Sequence, residues 1–283
     1  MERDPIEYVI EIPFDPQLHL GPLTLRWYGL IITMAAALGW WIARRYAPFA
    51  GITADNVDQI ALVAIICGVI GTRALHVAEE WGDVYSKDPW LAPQMWKGGG
   101  SVWGSIIGGV AGGVGMGFYY KLPKLPLLDV GGMGLIAGQM LGRMANVVNG
   151  EHTKLGTDVP WAFWYTNPTT MAIKNADGVT YPAHPSPVYE MILNAAILAV
   201  LIWMVKRWGG SGVVFVTYLF LYSVGRFGLT FLRIDDYYGP LTQAQWISVI
   251  VGVPAAIVLV MFMVGKFPLK VPPAMPEAVR ERA

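Results

Sequence analysis

The chain has 283 residues, no formal net charge at pH 7, 54% hydrophobic residues and only 14% charged ones, where soluble domains carry about 25%. The apolar residues come in long blocks, which argues against a soluble domain and for a polytopic membrane protein, and zero net charge gives no sign of nucleic-acid binding. Cys67 is the only cysteine, so an intramolecular disulfide is impossible.

Residues 1–25 hold Glu2, Asp4, Glu7, Glu11 and Asp15 with no basic n-region, so they do not read as a cleavable signal peptide. Crossing the hydrocarbon takes about 20 apolar residues. Spans are predicted at 27–43, 59–78, 103–120, 125–147, 186–205, 211–232 and 243–265, an all-α fold of seven transmembrane helices. The third span, WGSIIGGVAGGVGMGFYY, is dense in glycine. Small residues let helices approach closely in lipid, and no strand precedes them as a nucleotide loop requires. The tryptophans suit an aromatic belt.

The loops after spans 1, 3 and 5 are short and carry Arg44, Arg45, Lys121, Lys124, Lys206 and Arg207; the C-terminal segment adds Lys266, Lys270, Arg280 and Arg282. The opposite side has Arg3, Arg26, Lys87, Lys97, Lys154, Lys174 and Arg233, spread over longer segments and outnumbered by acids. The positive-inside bias therefore predicts an outer N-terminus and a cytoplasmic C-terminus. Residues 1–270 are expected to form one transmembrane domain with an extracytoplasmic segment at 148–185, and 271–283 a cytoplasmic tail.

On this topology the polar residues of the spans converge on the outer half of the membrane. Tyr28 starts span 1, Arg73 and His76 lie in span 2, Arg143 ends span 4, Tyr189 and Glu190 open span 5, and Arg226 lies in span 6. Ionisable residues at that depth are candidates for function. Asp129, near the inner end of span 4, reads as a helix-start carboxylate. A guanidinium offers a planar fork that matches phosphate and stays charged, so Arg143 and Arg226 suit an anionic phospholipid headgroup, and Asn146, Asn149 and Glu151 suit glycerol hydroxyls. Taken alone, Arg143 is equally well read as snorkelling to the interface; Arg26 and Arg233 read more readily that way. His184 and His152 are each either a base or a residue that orients a loop, and His76 is either a packed imidazole or a site residue. No His/Cys/Asp spacing for a metal and no G-x-S-x-G elbow is present.

The segment GRMANVVNGE (142–151) resembles the signature of the prolipoprotein diacylglyceryl transferase family, roughly G-R-x-G-N-F-x-N-G-E, with Ala145 and Val147 as substitutions. FDPQLHLGPLTLRWYGL resembles the family's start, GTDVPWAF and HPSPVYE its outer segment and H-P-S-x-x-Y-E box, and GRFGLTFLRIDD its R-F-x-x-E-F-x-R-x-D box. The four boxes occur in the family's order over nearly the whole chain. The resemblance implies a multi-pass enzyme of the bacterial inner membrane. It would move the diacylglyceryl group of phosphatidylglycerol to the lipobox cysteine of a lipoprotein precursor, releasing glycerol phosphate and using no cofactor. By resemblance, Arg143 and Arg226 are catalytic, holding the phosphate and the departing charge. Tyr28, Arg73, Trp103, Asn146, Asn149, Glu151, Tyr189, Glu190 and Arg233 are expected to contact substrate.

Two positions depart from the family pattern. Trp103 stands where the family has the histidine of an S-F-H-G-G stretch, and Thr230 where it has the glutamate of the R-F-x-x-E box. A general base is typically worth about 10²–10⁴-fold, while a cysteine of pKa about 8.5 is a few per cent thiolate near pH 7 unaided. Loss of the histidine therefore slows the reaction without abolishing it; His76, His152 or the nearby arginines are the available substitutes. The departures also define an alternative, a diverged member that binds phospholipid or serves another acceptor. A transporter would line both leaflets with charge and often show inverted repeats; this chain shows neither.

Overall fold

A computed structural model describes residues 9–21, 23–153, 155–174 and 181–269. Among them are the seven long helices the spans predict. They are α1 (Trp27–Tyr46), α2 (Ala54–Glu79), α3 (Val102–Tyr119), α4 (Lys124–Asn149), α6 (Ser186–Trp208), α7 (Val213–Leu229) and α8 (Gln243–Met263); α5 (Met171–Lys174) is a single turn. Six of the seven are long and apolar enough to cross a membrane, α7 together with its following turn. The exception, α1, has 20 residues but carries Trp27, Tyr28, Trp40 and Trp41 and ends on Arg44 and Arg45, which lowers its apolarity. α2 starts earlier than its predicted span because Thr53 caps it, accepting from the Asn56 N–H.

Three short strand pairs decorate this helical protein. β1 (Ile10–Ile12) runs parallel to β4 (Phe163–Tyr165), β2 (Gln17–Leu20) forms a hairpin with β3 (Leu23–Arg26), and β5 (Tyr237–Tyr238) pairs with β6 (Leu241–Thr242). The β1–β4 pair, the bond from Asn167 Nδ2 to the Pro13 carbonyl (3.3 Å) and that from Ser186 Oγ to the Leu232 carbonyl (2.7 Å) bring residues 9–16, the described residues between α4 and α6 and the turn after α7 to one end of the bundle.

α4 is the central helix, packed against α1, α6 and α7 around Ile42, Met133, Ile136, Leu201, Val205 and Val214. In lipid there is little hydrophobic drive between apolar helices, so close backbone packing has to supply the attraction. The α2–α3 seam is built that way: a Cβ at Gly71 would overlap the carbonyl of Gly104, one at Gly104 that of Gly71, and one at Gly108 that of Cys67. α1 and α4 meet likewise, a Cβ at Gly39 coming within 2.7 Å of the Gly134 oxygen. The glycines of the third span thus serve packing.

Asp129 does not start its own helix. It is fully buried within α4 and accepts the backbone N–H groups of Gly210, Gly212 and Phe215, each at 2.9 Å. These groups form the turn and first residues of α7, donors that the helix itself cannot satisfy. The turn needs left-handed backbone at Gly210 (φ 87°) and Gly212 (φ 85°), where only glycine sits without strain. Replacing Asp129 by Ala orphans three buried donors, so Asp129→Ala is expected to cost on the order of 2–4 kcal/mol. Thermal unfolding in detergent measures this, and the same substitution at exposed Asp83 should leave the midpoint unchanged.

Candidate functional site

At the end of the bundle that carries β4, three helices each deliver one charged side chain. Arg143 lies in the last two turns of α4, Glu190 in the second turn of α6 and Arg226 in the last turn of α7. Arg143 Nη2 donates to Glu190 Oε1 at 2.6 Å and Arg226 Nη1 to Glu190 Oε2 at 2.7 Å. The Tyr222 hydroxyl, one turn before Arg226, also donates to Glu190 Oε1 (3.1 Å). Glu190 is only 2% exposed, and a carboxylate removed from water this far needs a charged partner; here two guanidiniums share it.

The network continues along α4 into the following turn. Arg143 Nη1 donates to Asn146 Oδ1 (3.1 Å), Asn146 Nδ2 to Glu151 Oε2 (2.5 Å) and Asn149 Nδ2 to Glu151 Oε1 (2.6 Å). The αL residue Gly150 (φ 73°) ends α4 and turns Glu151 back onto both asparagines. Tyr28, at the start of α1, lies within electrostatic reach of Glu151 and Arg143. The Tyr165 hydroxyl, held protonated because burial pushes it above its ordinary range, donates to the Val147 carbonyl (2.7 Å) and ties β4 to the end of α4.

The charges are formally balanced, Arg143 and Arg226 against Glu190 and Glu151. A guanidinium has five N–H donors. Arg143 uses Nη1 and Nη2 in these bonds and Arg226 only Nη1, so each retains N–H groups for an anionic ligand. Glu190 and Asn146 differ from their expected roles: both carboxylate oxygens of Glu190 are engaged by arginines and tyrosine, and buried Asn146 bridges Arg143 to Glu151. They orient the arginines, each bonding to neighbouring protein side chains through both of its polar atoms.

Four expected substrate contacts, Arg73, Trp103, Tyr189 and Arg233, have no hydrogen bond to this network among the described residues. Arg73 is buried, and its guanidinium donates to the carbonyls of Leu91, Ala92, Gln94, Gly98 and Gly99 at 2.6–3.2 Å. Its N–H groups are thus committed to the segment that leads into α3, and none remains for a phosphate. Trp103, in the first turn of α3, is half-exposed and joins the network through no hydrogen bond among the described residues. Tyr189 accepts from Trp161 Nε1 (2.7 Å) and lies 3.2 Å from His184 Nδ1, forming a separate aromatic cluster.

Arg233 follows α7 by one turn of 3-10 helix and pairs with Asp235 through Nε (3.0 Å) and Nη2 (3.2 Å). Its Nη2 also lies 2.9 Å from His152 Nδ1. An arginine only donates, so Nδ1 must be the bare acceptor and the imidazole proton sits on Nε2. Burial first, then the charges of Arg233, Arg143 and Arg226 against the opposing pull of Asp235, lower the His152 pKa to about 4. A group that weakly basic is ill matched to deprotonate a thiol of pKa about 8.5, which argues against His152 as the substitute base. His76 packs edge-on against Tyr85, and a Cβ at Gly99 would collide with its ring, so it belongs to the Arg73 cluster. Thr230 bonds its hydroxyl to the Arg226 carbonyl (2.7 Å). Tyr222 and Asp235 were not anticipated, although their spacing to Arg226 and Arg233 puts each beside its arginine.

Residues 16–262 match the profile of the prolipoprotein diacylglyceryl transferase family. Similar proteins include the phosphatidylglycerol–prolipoprotein diacylglyceryl transferases of Thermosynechococcus vestitus (32% identical, covering 82% of this chain and 87% of the relative) and Corynebacterium efficiens (32%, covering 96% and 89%). That of Lactococcus lactis subsp. lactis is 31% identical over 86% of this chain and 92% of the relative. With the family's profile spanning nearly all of its helices, the chain belongs to the prolipoprotein diacylglyceryl transferase family.

Proposed function

We propose that this protein transfers the diacylglyceryl group of phosphatidylglycerol to the lipobox cysteine of a lipoprotein precursor at the outer face of a bacterial inner membrane. Family membership over most of the chain supports the reaction. The observation that carries the assignment of the site is the pair of guanidiniums held on one buried carboxylate at the end of the bundle.

In this reading the free N–H groups of Arg143 and Arg226 grip the phosphodiester of the lipid, a fork-shaped donor meeting two phosphate oxygens. Glu190, Tyr222 and Asn146 keep the two forks in place, and Asn149, Glu151 and Tyr28 form the wall beside them. The cysteine sulfur attacks the glycerol carbon that bears the phosphate ester. The carbon–sulfur bond forms, the carbon–oxygen bond breaks with its electron pair going to oxygen, and glycerol phosphate leaves while the thiol proton passes to water. Charge that grows on the leaving oxygen is what prepositioned donors in a water-poor site stabilise best. Arg73 contributes indirectly by fixing the segment before α3.

The fold is read as seven spans in one transmembrane domain, with α1 crossing as well, the N-terminus outside and the C-terminus in the cytoplasm. The tail assigned to 271–283 lies outside the described residues. Basic residues at the inner ends of α1 and α6 support this orientation. A reporter fused after Ala283 should behave as cytoplasmic and one inserted near Asp177 as extracytoplasmic; the reverse pattern would put the arginines on the wrong face for lipoprotein precursors.

Arg143→Lys keeps the charge and loses the fork. Glycerol phosphate release from phosphatidylglycerol and a lipobox peptide should fall by about 10–100-fold, the worth of a charge-assisted hydrogen bond. Arg26→Lys, at an exposed site in β3, should stay within about twofold of wild type. Equal losses from the two substitutions would remove the headgroup role of Arg143.

A further inference from the structure

Beside the ion-pair network an open cleft of about 350 Å³ is lined by His152, Arg233, Ile234, Asp235 and Asp236. We propose that this cleft is a product site, which receives glycerol phosphate after the carbon–oxygen bond has broken and from which it leaves to the outer water. The inference rests on the transferase reading and extends it to the fate of the leaving group.

The chemistry of the lining fits that molecule. The Asp235 carboxylate engages Nε and Nη2 of Arg233, and His152 Nδ1 accepts from Nη2. Nη1 has no partner among the described residues. The His152 proton must lie on Nε2, because its other nitrogen accepts from an arginine. The cleft therefore has two N–H donors, Arg233 Nη1 and His152 Nε2, next to the carboxylates of Asp235 and Asp236, which accept from hydroxyl groups. An anion with a hydroxylated tail matches both halves.

The charge of the leaving group sharpens the match. Phosphatidylglycerol carries a phosphodiester with one negative charge, whereas the product is a monoester of about −1.5 to −2 at neutral pH. Additional donors are of most use after cleavage. The end of the last α7 turn and one turn of 3-10 helix separate Arg226 from Arg233, and His152 of the cleft lies within electrostatic reach of both Arg143 and Arg226, so the cleft neighbours the cluster. Arg233 faces two carboxylates, Asp235 and Asp236, and His152 is neutral, so the lining is formally −1 and offers hydrogen bonds without net positive charge. Such a site binds a phosphate weakly enough to release it.

His152 has two roles in this site, donating from Nε2 to the ligand and accepting from Arg233 at Nδ1. It adopts φ 62°, a left-handed conformation in which histidine and asparagine are enriched among non-glycine residues. His152→Asn keeps an acceptor for Arg233, a donor and tolerance of that backbone; His152→Ala keeps none of them. The test is calorimetric titration of glycerol phosphate into the detergent-solubilised full chain, without peptide or phosphatidylglycerol, with inorganic phosphate and glycerol as comparison probes. Wild type should bind glycerol phosphate more tightly than inorganic phosphate. His152→Ala should bind at least about 10-fold more weakly, and His152→Asn within about threefold of wild type. In turnover assays the inhibition constant of added glycerol phosphate should rise at least about fivefold more than the KM for phosphatidylglycerol in His152→Ala. Equal binding by wild type and His152→Ala, equal binding of inorganic phosphate, or parallel changes in KM and inhibition would each overturn the product site. Turnover without glycerol phosphate binding removes the cleft alone; binding without turnover removes the transferase reading and the product role with it, leaving a glycerol phosphate cleft of another purpose.

Discussion

Glu190 is the interaction on which the site depends. A carboxylate 2% exposed at the end of a membrane bundle is tolerable only when paired, and it is paired twice, with Arg143 from α4 and Arg226 from α7. Removing one partner of a buried pair costs more than the pair itself contributes, because a desolvated charge remains. Three helices are thus locked in register by one side chain. Their guanidiniums take up fixed orientations, and in the proposed reaction their unused N–H groups are the ones that meet the phosphate.

A second buried carboxylate works at the opposite end of the same helices. Asp129 of α4 holds the turn and first residues of α7 through three backbone N–H groups. α4 and α7 are therefore pinned at both ends by carboxylates, with an apolar middle of Met133, Ile136 and Ala137 between the pins. The α2–α3 hairpin uses the other device available in lipid, glycine seams that bring backbones into contact. The pins at the two ends hold α4 and α7 against each other, and with them the guanidiniums of Arg143 and Arg226.

The helices were legible because a span of about 20 apolar residues leaves little ambiguity. Their ends shifted by up to five residues, as at α2, where the cap at Thr53 sets the start ahead of the apolar block. The strand pairs escaped notice, being two to four residues long, too short for alternation to register. Within the site, helical position and charge brought out Arg143, Arg226 and Glu190 but not how they divide the work. Sequence shows that an arginine is costly at membrane depth; it does not show what wraps it. Arg73 and Arg143 look alike on that test, yet carbonyls 18 to 26 residues further along enclose Arg73, whereas Arg143 keeps donors to spare. Trp103 stood out by its departure from a family pattern, and the structure leaves its ring half-exposed.

The most direct test of the shared carboxylate is the thermal unfolding of Glu190→Gln in detergent, with and without phosphatidylglycerol. Loss of the charge should cost about 3–5 kcal/mol, a fall in midpoint of about 6–20 °C. Added phosphatidylglycerol should then recover more of that loss than zwitterionic phosphatidylcholine does, because its phosphate stands in for the missing carboxylate between two uncompensated arginines. An unchanged midpoint, or equal recovery by the two lipids, would contradict the account.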